Sequence, residues 1–598
     1  MRQHHRLALV AVLLSTGWLS SAGAEPTVHD KLSALAREIV DTSARLHPML
    51  ATELGIPGHD GELEMPTEAG RAAEVAQLKA WRQRLLKITS PDASKLSLVD
   101  ADDARLIKAQ LDRSLNELLV YQIDRKSYGN AAIRLMEAIH TQLQELPVAG
   151  RDGATEDQVN AAWHDIVARL ATTPAFLAAA QKLATHPGHL YGVFGSRQLA
   201  GAPDLLGDAL TDAAKSHFGE QSADFGRFVK VRDAALAAIA ASKDHIDAHV
   251  AAWPENFSIG RQAYDRMLRD EQLLPYSTDD LVRMGQMELE HGWAEEAWLE
   301  SLSQHDKVPF GPASGGGLAP SGDALVSYYA DRIAELRQFN IDHQVITIPD
   351  WLGAMKIEPT PVFMRPLFPG ASMHPPRLFS SSTTGHYYIT PPDSLEEAAK
   401  RLDMNEDFDR DRILSTAAHE ALPGHFLQLS IAKRHPDFVR KIQDSGVFAE
   451  GWAFYGEEMF VRLGLYGQGL DARLFTARWE RVRGARAIVD SMLASGKWSF
   501  ERAVQFYAEQ TSFTPQAAEA AVASIALYPG YVIAYTVGRA QLEELLGQYL
   551  LKAGERASLL DFHDRLLSYG TVPFSIVTPE LLADLDKSSD QVRAAANY

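Results

Sequence analysis

The stretch from Thr416 to Gln428 carries the densest chemistry in the sequence, because it holds His419, Glu420 and His425 around a Pro423-Gly424 pair. In the usual zinc-peptidase helix, two His four residues apart share a face and the Glu after the first acts as general base. Here the two His are six apart. Six residues turn a straight helix by about 240°, which would send the imidazoles in different directions. Pro423 has no N–H to give the carbonyl of His419, and Gly424 tolerates backbone geometry that other residues avoid. The spacing therefore predicts a local bulge that lets both imidazoles converge on one metal.

Two imidazoles need a further, anionic ligand. Glu450 opens a second helical stretch, Ala449-Glu450-Gly451-Trp452-Ala453, with Glu457 seven residues on along the same face. A helical hairpin would bring Glu450 against His419 and His425. Such a set leaves one zinc ion an open position for water, with Glu420 placed to move its proton. Glu457 then suits the role of acceptor for a ligand imidazole N–H.

Composition agrees with a His/carboxylate site. The 598 residues contain no cysteine, which excludes disulfides, Cys-ligated metals and thiol catalysis, while 21 His leave ample ligands. A net charge of −20 disfavours phosphate backbones and anionic membranes as partners. Residues 1–24 read as a secretory signal: Arg2 and Arg6, an apolar run from Leu7 to Leu14, then Ala22-Gly23-Ala24 as cleavage site. The expectation is an exported chain, periplasmic or secreted, with no cysteine to carry a lipid and no stable membrane insertion once the signal is cut.

Positioning these residues falls to helices. Val28–Leu46, Glu68–Ile88, Ala101–Ile123, Glu156–Thr185 and Asp279–Leu302 show apolar residues at three-and-four spacing, the last with Ser277 and Thr278 as caps. The pattern returns from Leu395 onward. Between about 308 and 394 it is interrupted by a Gly/Pro/Ser run at 309–317, a helix over 322–337, and β-like pieces at Gln344–Ile348, Ala354–Ile357 and His386–Thr390. The expected fold is mainly α: one large helical body over 25–598, with a small antiparallel sheet at about 340–394 and metal-site helices at about 411–462.

His-Glu-x-x-Pro-Gly-His-x-x-Gln followed by Glu-Gly-Trp-Ala resembles the bacterial family known as domain of unknown function 885, whose members look like helical zinc metallopeptidases of the gluzincin type. The resemblance implies His419, His425 and Glu450 as ligands of one Zn2+ and Glu420 as base. Gly385-His386-Tyr387-Tyr388, Arg483-x-x-Arg486-x-x-x-Asp490 and Pro529-Gly530…Tyr535-x-x-Gly538 also match. Ala494 stands where the family often has His, and Tyr531 where it typically has Gln, so the chain resembles a divergent member.

Other residues suggest substrate contacts. Arg483 and Arg486 suit a peptide carboxylate, as in a carboxypeptidase or dipeptidase, or equally an internal network with Asp490. Among Tyr528, Tyr531 and Tyr535, Tyr535 is the candidate to stabilise the oxyanion. Tyr387 and Tyr388 lie on a candidate edge strand that could pair with an extended peptide. Glu288 to Glu296 echoes the Glu450 segment but has no His-Glu pair beside it, and reads as an exposed acidic face. The expected function is zinc-dependent hydrolysis of short peptides. Hydrolysis of a non-peptide amide, or binding on a decayed peptidase scaffold, are the alternatives. The oligomeric state is open.

Overall fold

The computed structural model describes residues 25–90, 96–150, 153–305, 319–320, 323–365, 370–390, 409–467 and 470–598. The signal sequence, the 309–317 run and the helix onset at Leu395 lie outside them. The fold is mainly α with one small sheet. No helix among the described residues is long and apolar enough to cross a membrane.

Local sequence explains where the helices begin. Thr27 and Asp30 form a reciprocal cap at the start of α1 (Val28–Leu46). Ser97 caps α2 (Leu98–Asn116), and Ser277 accepts from the Asp280 N–H at the start of α3 (Thr278–His305). The expected helix over Ala101–Ile123 stops earlier, because a π turn at Glu117–Tyr121 swings Tyr121 inward to donate to Glu271.

The sheet differs from expectation in three ways. β1 (Met355–Pro359) pairs with β3 (Gly385–Ile389) in parallel, and β2 (Ala371–His374) pairs with β3 antiparallel, so the sheet is mixed in the order β1-β3-β2. β3 is therefore the central strand, not an edge. Gln344–Ile348 is not a strand: the Val345 carbonyl accepts from His563, and the Thr347 N–H and hydroxyl donate to Asp564, so side chains occupy groups a ladder would use.

The site is built by α4 (Arg410–Glu420), α5 (His425–Lys433), α6 (Phe438–Lys441), α7 (Gly446–Leu463), α8 (Asp471–Ala494) and α9 (Ile533–Ala553). α7 is buried nearly all round, from Val447 to Phe460, which makes it the central helix of the main core. A second core cluster fills the helices between Ala132 and Ile246. α3 lies along α8, and α7 along α9.

The α7–α9 contact is close because Gly451 faces Gly538. A Cβ on Gly538 would lie 2.0 Å from the Val447 carbonyl oxygen and 2.7 Å from the Gly451 Cα. Gly538→Ala is expected to destabilise the protein by about 1–3 kcal/mol or more, as overpacking does. Because Glu450 precedes Gly451, the forced separation should also move Glu450 away from His419 and His425. A lower melting temperature checks this; an unchanged melting temperature would contradict it.

The Glu288–Glu296 segment is a further correction. Glu288 and Glu296 are buried rather than on an exposed face. Glu288 pairs with Arg539 and Glu296 with Arg478 and Arg481, so these carboxylates neutralise arginines inside the α3–α8–α9 packing.

Candidate metal centre

His419 sits at the end of α4, which Asp409 caps by accepting from the Arg412 N–H. The expected bulge is a full break. α4 stops at Glu420, residues 421–424 form a turn with a cis Leu422–Pro423 bond, and α5 starts at His425. Gly424 is required there, because a Cβ would fall 1.7 Å from the His419 carbonyl oxygen. The Trp452 indole N–H donates to the Pro423 carbonyl at 2.8 Å and ties the turn to α7.

This turn brings the imidazoles together edge to face, with ring centroids 4.7 Å apart. Nε2 of His419 lies 3.3 Å from Glu450 Oε2, and Nε2 of His425 lies 3.4 Å from the same oxygen. Atoms about 2.0–2.2 Å from one tetrahedral ion stand about 3.3–3.6 Å apart, so these separations fit a shared zinc. Glu450 Oε2 is buried with no hydrogen-bond partner, an anionic atom aimed at the space between two ring nitrogens. That orphaned oxygen, with two imidazoles and one carboxylate as donors, fits a divalent cation.

The surroundings fix the ligands. Glu457, two helical turns beyond Glu450, lies 2.6 Å from His419 Nδ1 and holds that ring with Nε2 turned inward. Burial lowers the His419 pKa, but Glu450 and Glu457 outweigh it and lift it to about 10. Burial opposes ionisation of Glu450, yet His425 and His419 hold its carboxyl well below the usual range. Burial raises the Glu420 carboxyl, while both His oppose the shift and Glu450 and Glu457 add to it. Glu420 thus belongs electrostatically to the cluster without being one of its convergent ligands.

The second-tier residues are rearranged. Arg483 does not pair with Asp490: it donates twice to Glu457, at 3.0 and 2.6 Å. Asp490 instead accepts from Tyr264 and from the Gly530 N–H, fixing the loop before α9, and burial raises it to about 7. Arg486 lies 5.7 Å from the Tyr535 ring centre and 5.4 Å from that of Trp479, and no carboxylate pairs with it among the described residues. Tyr535 stacks over His419 at 6.1 Å.

The phenol closest to the ligands is Tyr531, whose hydroxyl donates to Glu450 Oε1 at 2.7 Å while half its surface stays exposed. Sequence reasoning passed over it for Tyr535; the preceding Pro529-Gly530 turn was the available signal. Tyr531→Phe is expected to weaken metal retention or turnover about 10–100-fold. Competition with a chromophoric chelator checks this, and unchanged retention and rate together would contradict it.

Tyr387 and Tyr388 are not placed to meet a peptide. Both are fully buried on the central strand, and the Tyr388 hydroxyl is engaged by His140 and Gln144. Ala494 is buried at the end of α8, where its carbonyl accepts from Ser258, Ile259 and Gly260.

Two solved structures share the fold. A protein described as a candidate lipoprotein of unknown function from Shewanella oneidensis superimposes with a TM-score of 0.70 at 20% identity, covering 92% of this chain and 99% of its own. One described as a candidate lipoprotein from Colwellia psychrerythraea gives 0.75 at 16% identity, covering 94% and 100%. No curated protein matches the sequence significantly. The chain belongs to the family described as bacterial protein of unknown function, DUF885, which matches residues 48–581.

Proposed function

We propose that the protein is an exported zinc-dependent peptidase acting on short peptides. The observation that carries this reading is the convergence of His419 Nε2, His425 Nε2 and the orphaned Glu450 Oε2, with the Glu420 carboxyl near enough to interact with both imidazoles. Zinc at such a set supplies Lewis acidity and makes water nucleophilic near neutral pH. The Glu420 carboxylate takes the water proton as the oxygen bonds to the peptide carbonyl carbon. It then delivers that proton to the amine nitrogen as the C–N bond breaks. Glu457 keeps the His419 tautomer fixed, and Tyr531 holds Glu450 Oε1 so that Oε2 faces inward. Arg486, free of a carboxylate partner among the described residues, is the cation available for a substrate's terminal carboxylate, which favours exopeptidase or dipeptidase action. The N-terminal sequence and the lipoprotein descriptions of both similar structures support export.

Zinc-loaded protein is expected to cleave members of a mixed peptide library, read as new termini by mass spectrometry. Chelation should abolish cleavage and added zinc restore it. A fully loaded protein that cleaves no member would overturn the reading.

A further inference from the structure

A second group of ligand atoms lies away from His419, where α1, α2 and α6 meet. His29, in the first turn of α1, places Nδ1 3.7 Å from Asp100 Oδ1, 4.0 Å from Asp103 Oδ2 and 3.8 Å from Asp437 Oδ2. Ligand atoms of His29, Asp103 and Asp437 all fall within 4.8 Å of one another. Atoms held about 2.0–2.4 Å from one ion stand about 3.3–4.0 Å apart, so the His29 separations suit a shared cation.

Each carboxylate has one oxygen fixed by a donor and the other turned to His29. Asp100 Oδ2 accepts from the Ser97 hydroxyl. Asp437 Oδ1 accepts from the Val439 and Arg440 N–H groups at the start of α6. Asp103 Oδ1 accepts from Arg440 Nε. This is how outer contacts orient metal ligands.

Asp103 supplies an independent sign of a missing ligand. Its side chain is completely buried, and Oδ2 faces His29 and the Asp437 carboxyl with no N–H donor reaching it. An orphaned buried carboxylate oxygen costs several kcal/mol unless something positive meets it. Nearby cations do not fill that need. Arg440 is shared with Glu580 through two hydrogen bonds, and Arg105 is drawn to Asp102. Carboxylates thus outnumber arginines around this point.

We infer that His29, Asp103 and Asp437 form a second divalent-cation site that fastens the first turn of α1 to α2 and α6. One imidazole with two carboxylates suits Mn2+ or Zn2+ over Ca2+, which prefers oxygen ligands throughout. The ion would replace two separate charge contacts of His29 with one cross-link, and it takes no part in hydrolysis.

The test uses the full chain carrying His419→Ala and His425→Ala, so that the first centre cannot bind. After chelation and dialysis, Mn2+ is titrated and bound ion is counted by electron paramagnetic resonance, with melting temperature followed in parallel. One bound Mn2+ and a raised melting temperature are expected. Both should disappear when His29→Ala is added, a half-exposed position where the substitution is compatible with folding. Asp437→Asn gives a second check on the same atoms. Absence of bound Mn2+ at millimolar concentration would overturn the inference, and would mean that Asp103 and Asp437 share a proton instead. So would binding that survives both His29→Ala and Asp437→Asn. Neither outcome depends on whether the first centre hydrolyses peptides.

Discussion

Replacing Glu420 by Gln is expected to lower peptide turnover about 10²–10⁴-fold while leaving zinc in place. The separation of the two effects follows from geometry. His419, His425 and Glu450 supply the convergent atoms, and Glu420 is not among them. Gln keeps the size and burial of the side chain but cannot accept the water proton. The loss should therefore fall on kcat, with little change in bound zinc or melting temperature. Measuring zinc content, melting temperature and kcat on the same preparation decides the matter. Full turnover in the variant would remove Glu420 from the mechanism, and lost zinc would make it a ligand.

Arg483→Met is expected to weaken zinc binding about 10–100-fold and to cost about 3–5 kcal/mol of stability. Arg483 and Glu457 are both buried, and their paired hydrogen bonds leave Glu457 ionised to hold His419 Nδ1. Burial opposes that ionisation, while Arg483 and then His419 keep the Glu457 carboxyl below its ordinary value. Without Arg483 a buried carboxylate loses its main counter-charge, and the imidazole it orients becomes free to turn. Adding Glu457→Gln to Arg483→Met should recover part of the stability, because the uncompensated charge is then gone. If Arg483 gripped a substrate carboxylate instead, the single variant would raise KM and leave zinc affinity and melting temperature unchanged.

The convergence of His419, His425 and Glu450 was legible because its signal is local. His419, Glu420 and His425 lie within one short segment, and Glu450 and Glu457 share a face of the next long helix. The same reading anticipated a distortion at Pro423-Gly424. It could not choose a broken helix over a bulge, since that depends on Trp452 reaching the Pro423 carbonyl from α7. Helix onsets at Val28, Glu68 and Glu156 were legible from their apolar spacing.

What stayed hidden was the choice of partner across space. Arg483, Arg486 and Asp490 share a helix face, yet Arg483 turns to α7 and Asp490 to the loop before α9. Glu288 and Glu296 look solvated in sequence because Arg539, Arg478 and Arg481 lie far downstream, 251 residues away for Arg539 and 182 for Arg478. β3 was recognised as a strand, but its central place depends on β2, a four-residue strand too short to announce itself.

The central claim is that one zinc ion sits between His419, His425 and Glu450. Anomalous diffraction from zinc-loaded crystals, recorded at the zinc edge, tests it most directly. A peak is expected about 2.0–2.2 Å from Nε2 of both imidazoles and from a Glu450 carboxylate oxygen. Zinc-saturated crystals with no peak there, or with either imidazole turned away from the ion, would contradict it.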